Sequence, residues 1–341
     1  MKKPFLLYYR TRVLSLFILL FSSSNPVSAQ LGGTHTFEFL NLVTSPRIVS
    51  LGGYLTSVMD MDINNGIFNP ALINNSMINK LTLNYTDYYT DISYGNLGYG
   101  FGLFDHNFVS SIKFIDYGSF VETNEFGEEL GTFSAGEYVF SLGSSKMIDS
   151  LFYIGMNSKV AYSSLYNLNA SAILLDFGFS YFHPRKRIIT SFIIKNLGYQ
   201  LDPYSVGNRE PLPFEILLGI SNELAHMPLR WHLTFQHLET PNLDFQNDFD
   251  VLDLNRNTFL TSVLKHFVIG AELLIHKNIN LIIGYNNRRR FEMIVPDRKG
   301  LIGFSGGISV KIKRFHFNYA ITSNHFSGPI STFGIVTDLK K

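Results

Sequence analysis

Asp60, Asp62 and Asn64 stand at alternate positions, D-x-D-x-N, which is how a calcium loop opens when carboxylate and amide oxygens gather round a hard cation. Such a loop needs Gly at its sixth position and Glu at its twelfth, where this chain has Asn65 and Ala71. The acidic pair is therefore expected to cap turns, not to bind metal. Gly303, Ser305 and Gly307 fit G-x-S-x-G, but a nucleophile elbow requires a sharp strand-to-helix turn. These three residues interleave with Phe304 and Ile308 in an alternating strand pattern, so Ser305 reads as a small residue on a polar face. Ser110 and Lys113 fit S-x-x-K without the K-T-G that such chemistry also needs. The ten histidines are scattered, and His232 and His316 fall on polar strand faces with no nucleophile and acid pattern around them. There is no cysteine, hence no disulfide and no thiolate. The expectation is a protein without catalytic residues, metal or cofactor, although a hydrolase triad assembled across strands would leave no mark in such patterns.

A different chemistry is offered by two segments that mix acid with large apolar side chains. One carries Glu122, Glu125, Glu128 and Glu129; the other carries Phe245, Asp248, Phe249 and Asp250. Charge on a loop is ordinarily only solvated, but exposed Phe at a loop tip provides a buried anchor for a partner. These residues are the candidate partner-binding loops.

The elements that position them follow from periodicity. The first thirty residues run from Lys2, Lys3, Arg10 and Arg12 through the apolar VLSLFILLF to Val27, Ser28 and Ala29, the order of a secretory signal peptide cut after Ala29. Afterwards the period is two: Leu97, Tyr99, Phe101 and Leu103 alternate with Gly and Asn, as Leu229, Trp231, Leu233 and Phe235 alternate with Arg, His and Thr. Fourteen such segments, of about ten residues each, are long enough to cross a bilayer as tilted strands. They fall near 80–88, 92–104, 107–117, 136–146, 150–163, 169–181, 187–197, 213–223, 228–238, 262–274, 277–286, 300–311, 313–322 and 330–339. The long connections 118–135, 198–212, 239–261 and 287–299 all follow odd-numbered strands, and the turns after even-numbered strands are short. A soluble sandwich has no reason to sort its loops this way, whereas an outer-membrane barrel does. Tyr85, Tyr88, Tyr99 and Tyr181 toward strand ends suit interfacial girdles. The 28 basic and 27 acidic residues nearly cancel, which argues against nucleic acid as a partner; outer-membrane lipid is the expected surrounding.

Residues 30–78 do not alternate. Phe37, Leu40, Ile48, Leu51, Ile63, Phe68 and Leu72 are too many apolar residues for a disordered tail, while Gly52, Gly53, Gly66 and Pro70 cut the stretch into short helices and turns. The lumen of a fourteen-stranded barrel is wider than side chains alone can fill, so this segment has a place to fold.

F-N-P-A-L over Phe68–Leu72, with Asn69, Pro70 and Ala71 as its turn, resembles the Asn-Pro-Ala turn of FadL-type outer-membrane barrels. FLNLVTSPRIVSLGG, LTLNYTDYYTDISYGNLGYG, SFIIKNLGYQLDPY and MPLRWHLTF together resemble the outer-membrane barrels of the type IX secretion machinery of Bacteroidetes, in the FadL-like and PorV-like superfamily, with a departure at Pro46 where that pattern has Ala. The resemblance implies an all-β, fourteen-stranded antiparallel transmembrane barrel at 79–341, a hatch at 30–78 and a signal peptide at 1–29. It further implies a non-enzymatic anchor, integral to the outer membrane, for a PorZ-like surface protein in an attachment complex with PorU and PorV. The alternative it leaves open is a FadL-type passive transporter of hydrophobic small molecules. The mark of a transporter would be a lateral kink in one strand, for which the glycine-rich Gly95–Gly102 is the expected place.

Overall fold

The computed structural model describes residues 35–205, 207–241, 243, 259–293, 300–325 and 328–340. The signal segment at 1–29 and Phe245, Asp248, Phe249 and Asp250 lie outside the described residues.

Fourteen strands run in chain order: β1 (Lys80–Asp87), β2 (Ser93–Leu103), β3 (His106–Thr123), β4 (Glu129–Asp149), β5 (Phe152–Leu165), β6 (Leu168–His183), β7 (Ile188–Asp202), β8 (Glu215–Glu223), β9 (Leu229–Phe235), β10 (Phe267–His276), β11 (Ile279–Asn286), β12 (Phe304–Ile312), β13 (Phe315–His325) and β14 (Gly328–Asp338). Each pairs antiparallel with its neighbours, and β1 closes on β14 with Lys80 opposite Asp338 and Asp87 opposite Ser331. The result is the closed fourteen-stranded antiparallel barrel expected from the sequence. Closure leaves no unpaired edge, which any β-structure in lipid must achieve.

The wall is inverted relative to a soluble sheet. Leu97, Ile112, Phe140, Val160 and Ile173 point outward and are exposed, whereas Asn84, Asn96, Asn157, Asp176 and Glu272 point inward and are buried. Leaving a large apolar side chain in water forgoes about 1.5–3 kcal/mol. Repeated around the whole ring, that cost requires lipid outside. Aromatic rings collect near the rims, with Tyr99 on Phe101 and Phe101 on Phe108 at the short-turn end.

Two expected loops turn out otherwise. Between 118 and 135 the chain stays in β3 to Thr123 and resumes in β4 at Glu129, because Phe120 stacks on Phe133 at 5.3 Å and extends the hairpin. Only 124–128 is a turn there. The tenth strand does not begin at 262: Phe259–Lys265 forms a helix, α3, since Phe259, Leu260, Val263 and Leu264 recur at helical spacing. Two helices precede it, α1 (Pro46–Ser50) and α2 (Ile63–Phe68), and α4 (Asn287–Met293) follows β11.

Residues 35–78 fold into α1, α2 and 3-10 turns at Glu38–Asn41, Pro70–Leu72 and Asn75–Met77. Pro46 starts α1, where its missing N–H costs nothing. The helix ends at Gly52 and Gly53, both left-handed at φ 83° and 91°, which L side chains avoid. Asp62 caps α2 by accepting from the Asn64 N–H at 3.1 Å, so the D-x-D pair does cap a turn. α1 packs on β11–β14, α2 on β1–β3, and Pro70–Leu72 on β4–β6. One segment that touches a closed ring on all these sides lies inside it.

Candidate functional site: the filled lumen

Glycines on the inward face make room for this inner segment. A Cβ at Gly284 would strike the backbone of Leu51 and Gly52, one at Gly307 the Ser50 side chain, one at Gly155 the backbone of Pro70, and one at Gly178 the Asn69 side chain. Where glycine stands, chain meets chain. Ser305, in the G-x-S-x-G pattern, accepts from the Gly52 N–H at 3.0 Å and donates to the Ser50 carbonyl at 2.9 Å, which makes it a docking residue and not a nucleophile. In the S-x-x-K pair, Lys113 turns inward while Ser110 bonds the Tyr99 carbonyl in the wall, so the two do not meet. Asn69 is fully buried; its Oδ1 accepts from the Ala71 N–H at 3.0 Å and its Nδ2 donates to the Thr56 carbonyl at 2.7 Å. That closes the Asn69, Pro70, Ala71 turn against β5 and β6.

A charged clamp joins the inner segment to β9 and β10. Arg47 on α1 makes a two-pronged pair with Glu272, Nε to Oε1 at 2.9 Å and Nη2 to Oε2 at 3.1 Å. Its Nη1 reaches Asp60 at 2.7 Å and Asp62 at 3.4 Å. Arg230 meets Glu272 at 2.9 Å and Glu223 at 2.6 Å. Burial alone would weaken the hold of Arg47 on its proton, but Asp60, Glu272 and Asp62 outweigh it and lift the guanidinium well above its ordinary range. Burial pushes the Asp62 carboxyl up, against the opposing pull of Arg47. Asp60 and Asp62 are thus committed to an arginine, and among the described residues no group of acidic and histidine side chains is arranged to hold a metal.

On the opposite side the fit is looser. Lys113, Lys159 and Lys195 project from β3, β5 and β7 into a cavity of about 60 Å³, whose other walls include Leu42, Ile48, Phe68 and Val139. Lys113 donates to the carbonyls of Leu40 and Leu42 at 2.8 and 2.9 Å; Lys159 pairs with Asp176 at 2.6 Å; Lys195 lies 3.8 Å from Glu215 and 4.3 Å from the Phe68 ring centre. No ion pair reaches Lys113 among the described residues.

Beside this cavity the wall is irregular. Leu175 pairs Leu197 and Phe177 pairs Ile194, so Asp176 faces two residues, Lys195 and Asn196: a β-bulge. Asn196 sits in the left-handed region at φ 58°, held by its N–H to Asp176 at 2.8 Å and by Nδ2 to Asn41 and the Pro213 carbonyl at 3.1 and 2.8 Å. β7 continues to Asp202, but its ladder with β8 stops at Lys195 opposite Glu215. Above that point side chains bridge β7 to the following loop, among them Arg209 to the Gln200 carbonyl at 3.2 Å. The expected kink at Gly95–Gly102 is not there. β2 pairs β1 and β3 without a register shift, and its glycines admit the inner segment instead: a Cβ at Gly100 would strike the Met77 carbonyl. Sequence carries a signal for the true position: the outward apolar residues step by two from Phe192 to Ile194, then by three to Leu197.

Glu125, Glu128 and Glu129 are exposed around the β3–β4 turn. Asn124 organises that turn, accepting from the N–H groups of Phe126 and Glu128 at 2.9 Å, and Phe126 is 88% exposed.

No family model matches this sequence, and no curated protein matches it. Solved structures do. The toluene transporter TodX of Pseudomonas putida is 14% identical with a TM-score of 0.53, covering 85% of this chain and 95% of that one. A TodX variant, deltaS2S3, described as a monoaromatic hydrocarbon channel, is 13% identical at 0.52 and covers 88% and 100%. A Pseudomonas aeruginosa FadL homologue is 10% identical at 0.46, covering 87% and 98%. At such identities the likeness concerns the fold alone, a closed barrel like that of TodX.

Proposed function

We propose that the protein is a passive outer-membrane transporter of hydrophobic small molecules, with residues 35–78 as a plug and the interval between β7 and β8 as the lateral entry. The observation that carries this reading is the end of the β7–β8 ladder at Lys195 and Glu215, beside the apolar and lysine-lined cavity. A solute dissolved in the outer leaflet would meet Leu197, Tyr199 and Leu201 on the lipid face and pass inward there without entering water. Toluene transport by the fold neighbour TodX supports the substrate class. In this reading the chain is exported by the segment 1–29, and the short-turn rim faces the periplasm, as in other barrels of this kind. The test is toluene uptake by cells lacking the gene and by the complemented strain. Uptake should fall several-fold without the protein; equal rates would overturn the reading.

A second reading, the PorQ-type barrel that anchors a PorZ-like surface protein with PorU and PorV, is supported by one feature. The β3–β4 hairpin is long, β4 alone running 21 residues where about 9–11 span a bilayer, and it ends in exposed Phe126 among Glu125, Glu128 and Glu129. Loss of a surface protein into the medium on deletion, with toluene uptake unchanged, would favour this reading over the first.

A further inference from the structure

A cavity of about 200 Å³ opens at the short-turn rim between the plug and the strands β9–β14 and β1. We propose that it is a binding site for a small oxyanion, a carboxylate or phosphate group on a compact ligand. This goes beyond the passage of hydrophobic molecules and does not depend on it.

Strand register builds the site. Lys311 on β12 lies directly opposite His316 on β13, and one pleat deeper Ser309 lies opposite both Asn280 on β11 and Asn318 on β13. Directly opposite residues hold their Cβ atoms about 4.5–5.5 Å apart, so these side chains form two adjacent rows facing one space. The outer row is cationic or imidazole. The inner row consists of hydroxyl and amide groups, which donate hydrogen bonds suited to oxygen acceptors. Lys277, in the β10–β11 turn, stands at the edge.

The charge balance points to an anion. Five cationic residues line the cavity, Arg47, Lys80, Arg230, Lys277 and Lys311, against Asp60, Asp62 and Asp338. Arg47 and Arg230 belong to the clamp, and Lys80 pairs with Asp338 at 3.2 Å. Among the described residues no ion pair engages Lys277 or Lys311. The remaining walls include Met61, Leu274 and Val336, whose apolar surface keeps the cavity less polar than water and strengthens any charge pairing within it. An anion seated there would compete with Asp60 and Asp62 for Arg47, so occupancy would be felt at the contact that ties the plug to the wall.

The experiment uses the full-length barrel purified in detergent, titrated calorimetrically with inorganic phosphate and, separately, with octanoate, against sodium chloride of matched ionic strength. Saturable binding of at least one probe is expected, weakened at least tenfold in K277Q/K311Q and unchanged in K186Q, which removes an exposed lysine from another short turn. Which probe binds distinguishes a free phosphate from a carboxylate amphiphile. Should the double variant fail to assemble, H316Q takes its place with the same expectation. The proposal is overturned if neither probe saturates, if chloride binds equally well, or if the folded variants bind as the wild type does.

Discussion

On the β10–β14 arc the plug packs directly on wall glycines and is tied by the Arg47 clamp, whereas on the β3–β7 arc such contacts, at Gly155 and Gly178, share the interface with three lysine side chains and a cavity. The first arc has Gly284 and Gly307 against Leu51, Gly52 and Ser50, with the Arg47–Glu272 pair at its edge. The second has Lys113, Lys159 and Lys195 round a cavity, with a bulge at Asn196 where β7 parts from β8. The difference teaches that a barrel can be filled without being sealed uniformly. Glycine removes side-chain freedom and gap together, so each such contact fixes the plug where it stands. Lysines carry their ammonium groups on long flexible stems, so the second arc keeps a space between plug and wall that a glycine contact does not.

The largest effect should come from cutting the clamp. Glu272→Ala leaves Arg47 and Arg230 facing one another without their shared carboxylate, and removing one partner of a buried pair costs about 3–5 kcal/mol. Denaturant unfolding of the variant should show that loss, and protease should reach 35–78 while the strands stay protected. A plug still protected would mean that the glycine contacts alone hold it.

Gly284→Val sharpens the same point by overpacking, since its side chain would enter the backbone of Leu51 and Gly52. Such insertions cost about 1–3 kcal/mol. Gly306→Ala is the matched control on the same arc, because its Cβ would meet nothing nearer than the Ile282 carbonyl at 3.7 Å. Thermal melting of the two should separate them; equal melting would show that the plug yields easily on this side too.

The strands were legible in the sequence because a period of two survives any register, and the outward apolar residues announce the wall. The bulge was legible in principle, from the three-residue step between Ile194 and Leu197, but a single lost beat is easily absorbed into a loop. The glycine contacts were not. Gly95–Gly102 attracts notice by density, yet a glycine that receives the plug, such as Gly155 or Gly284, looks like any other until the partner backbone is placed. The clamp was hidden for a related reason, since Arg47 and Glu272 are 225 residues apart. The 118–135 segment, expected as a long connection, is carried through as a hairpin by the Phe120–Phe133 stack, a cross-strand contact that alternation along one chain does not show.

On the loose arc the effects should be smaller. Asn196→Ala removes the bonds to Asn41 and Pro213 and leaves a β-carbon in the left-handed region, a conformation that costs an ordinary residue about 1–2 kcal/mol. Its melting point should fall less than that of Glu272→Ala, and a larger fall would make the bulge, not the clamp, the principal fastening. Smallest of all, Glu125→Gln, Glu128→Gln and Glu129→Gln together should change stability by no more than about 0.5 kcal/mol, since these side chains are exposed. A larger change on chemical unfolding would mean that the hairpin tip packs against another part of the barrel.

Entry beside Asn196 can be tested directly, because the sequence has no cysteine to interfere. Cysteines in place of Asn41 and Asn196, whose side chains touch at 3.1 Å, can be joined by a short bis-maleimide or merely capped with N-ethylmaleimide. Toluene uptake by cells carrying the bridged barrel should fall several-fold below that of cells carrying the capped one, because the bridge fastens the plug to β7. Equal uptake in the two would contradict entry at this place.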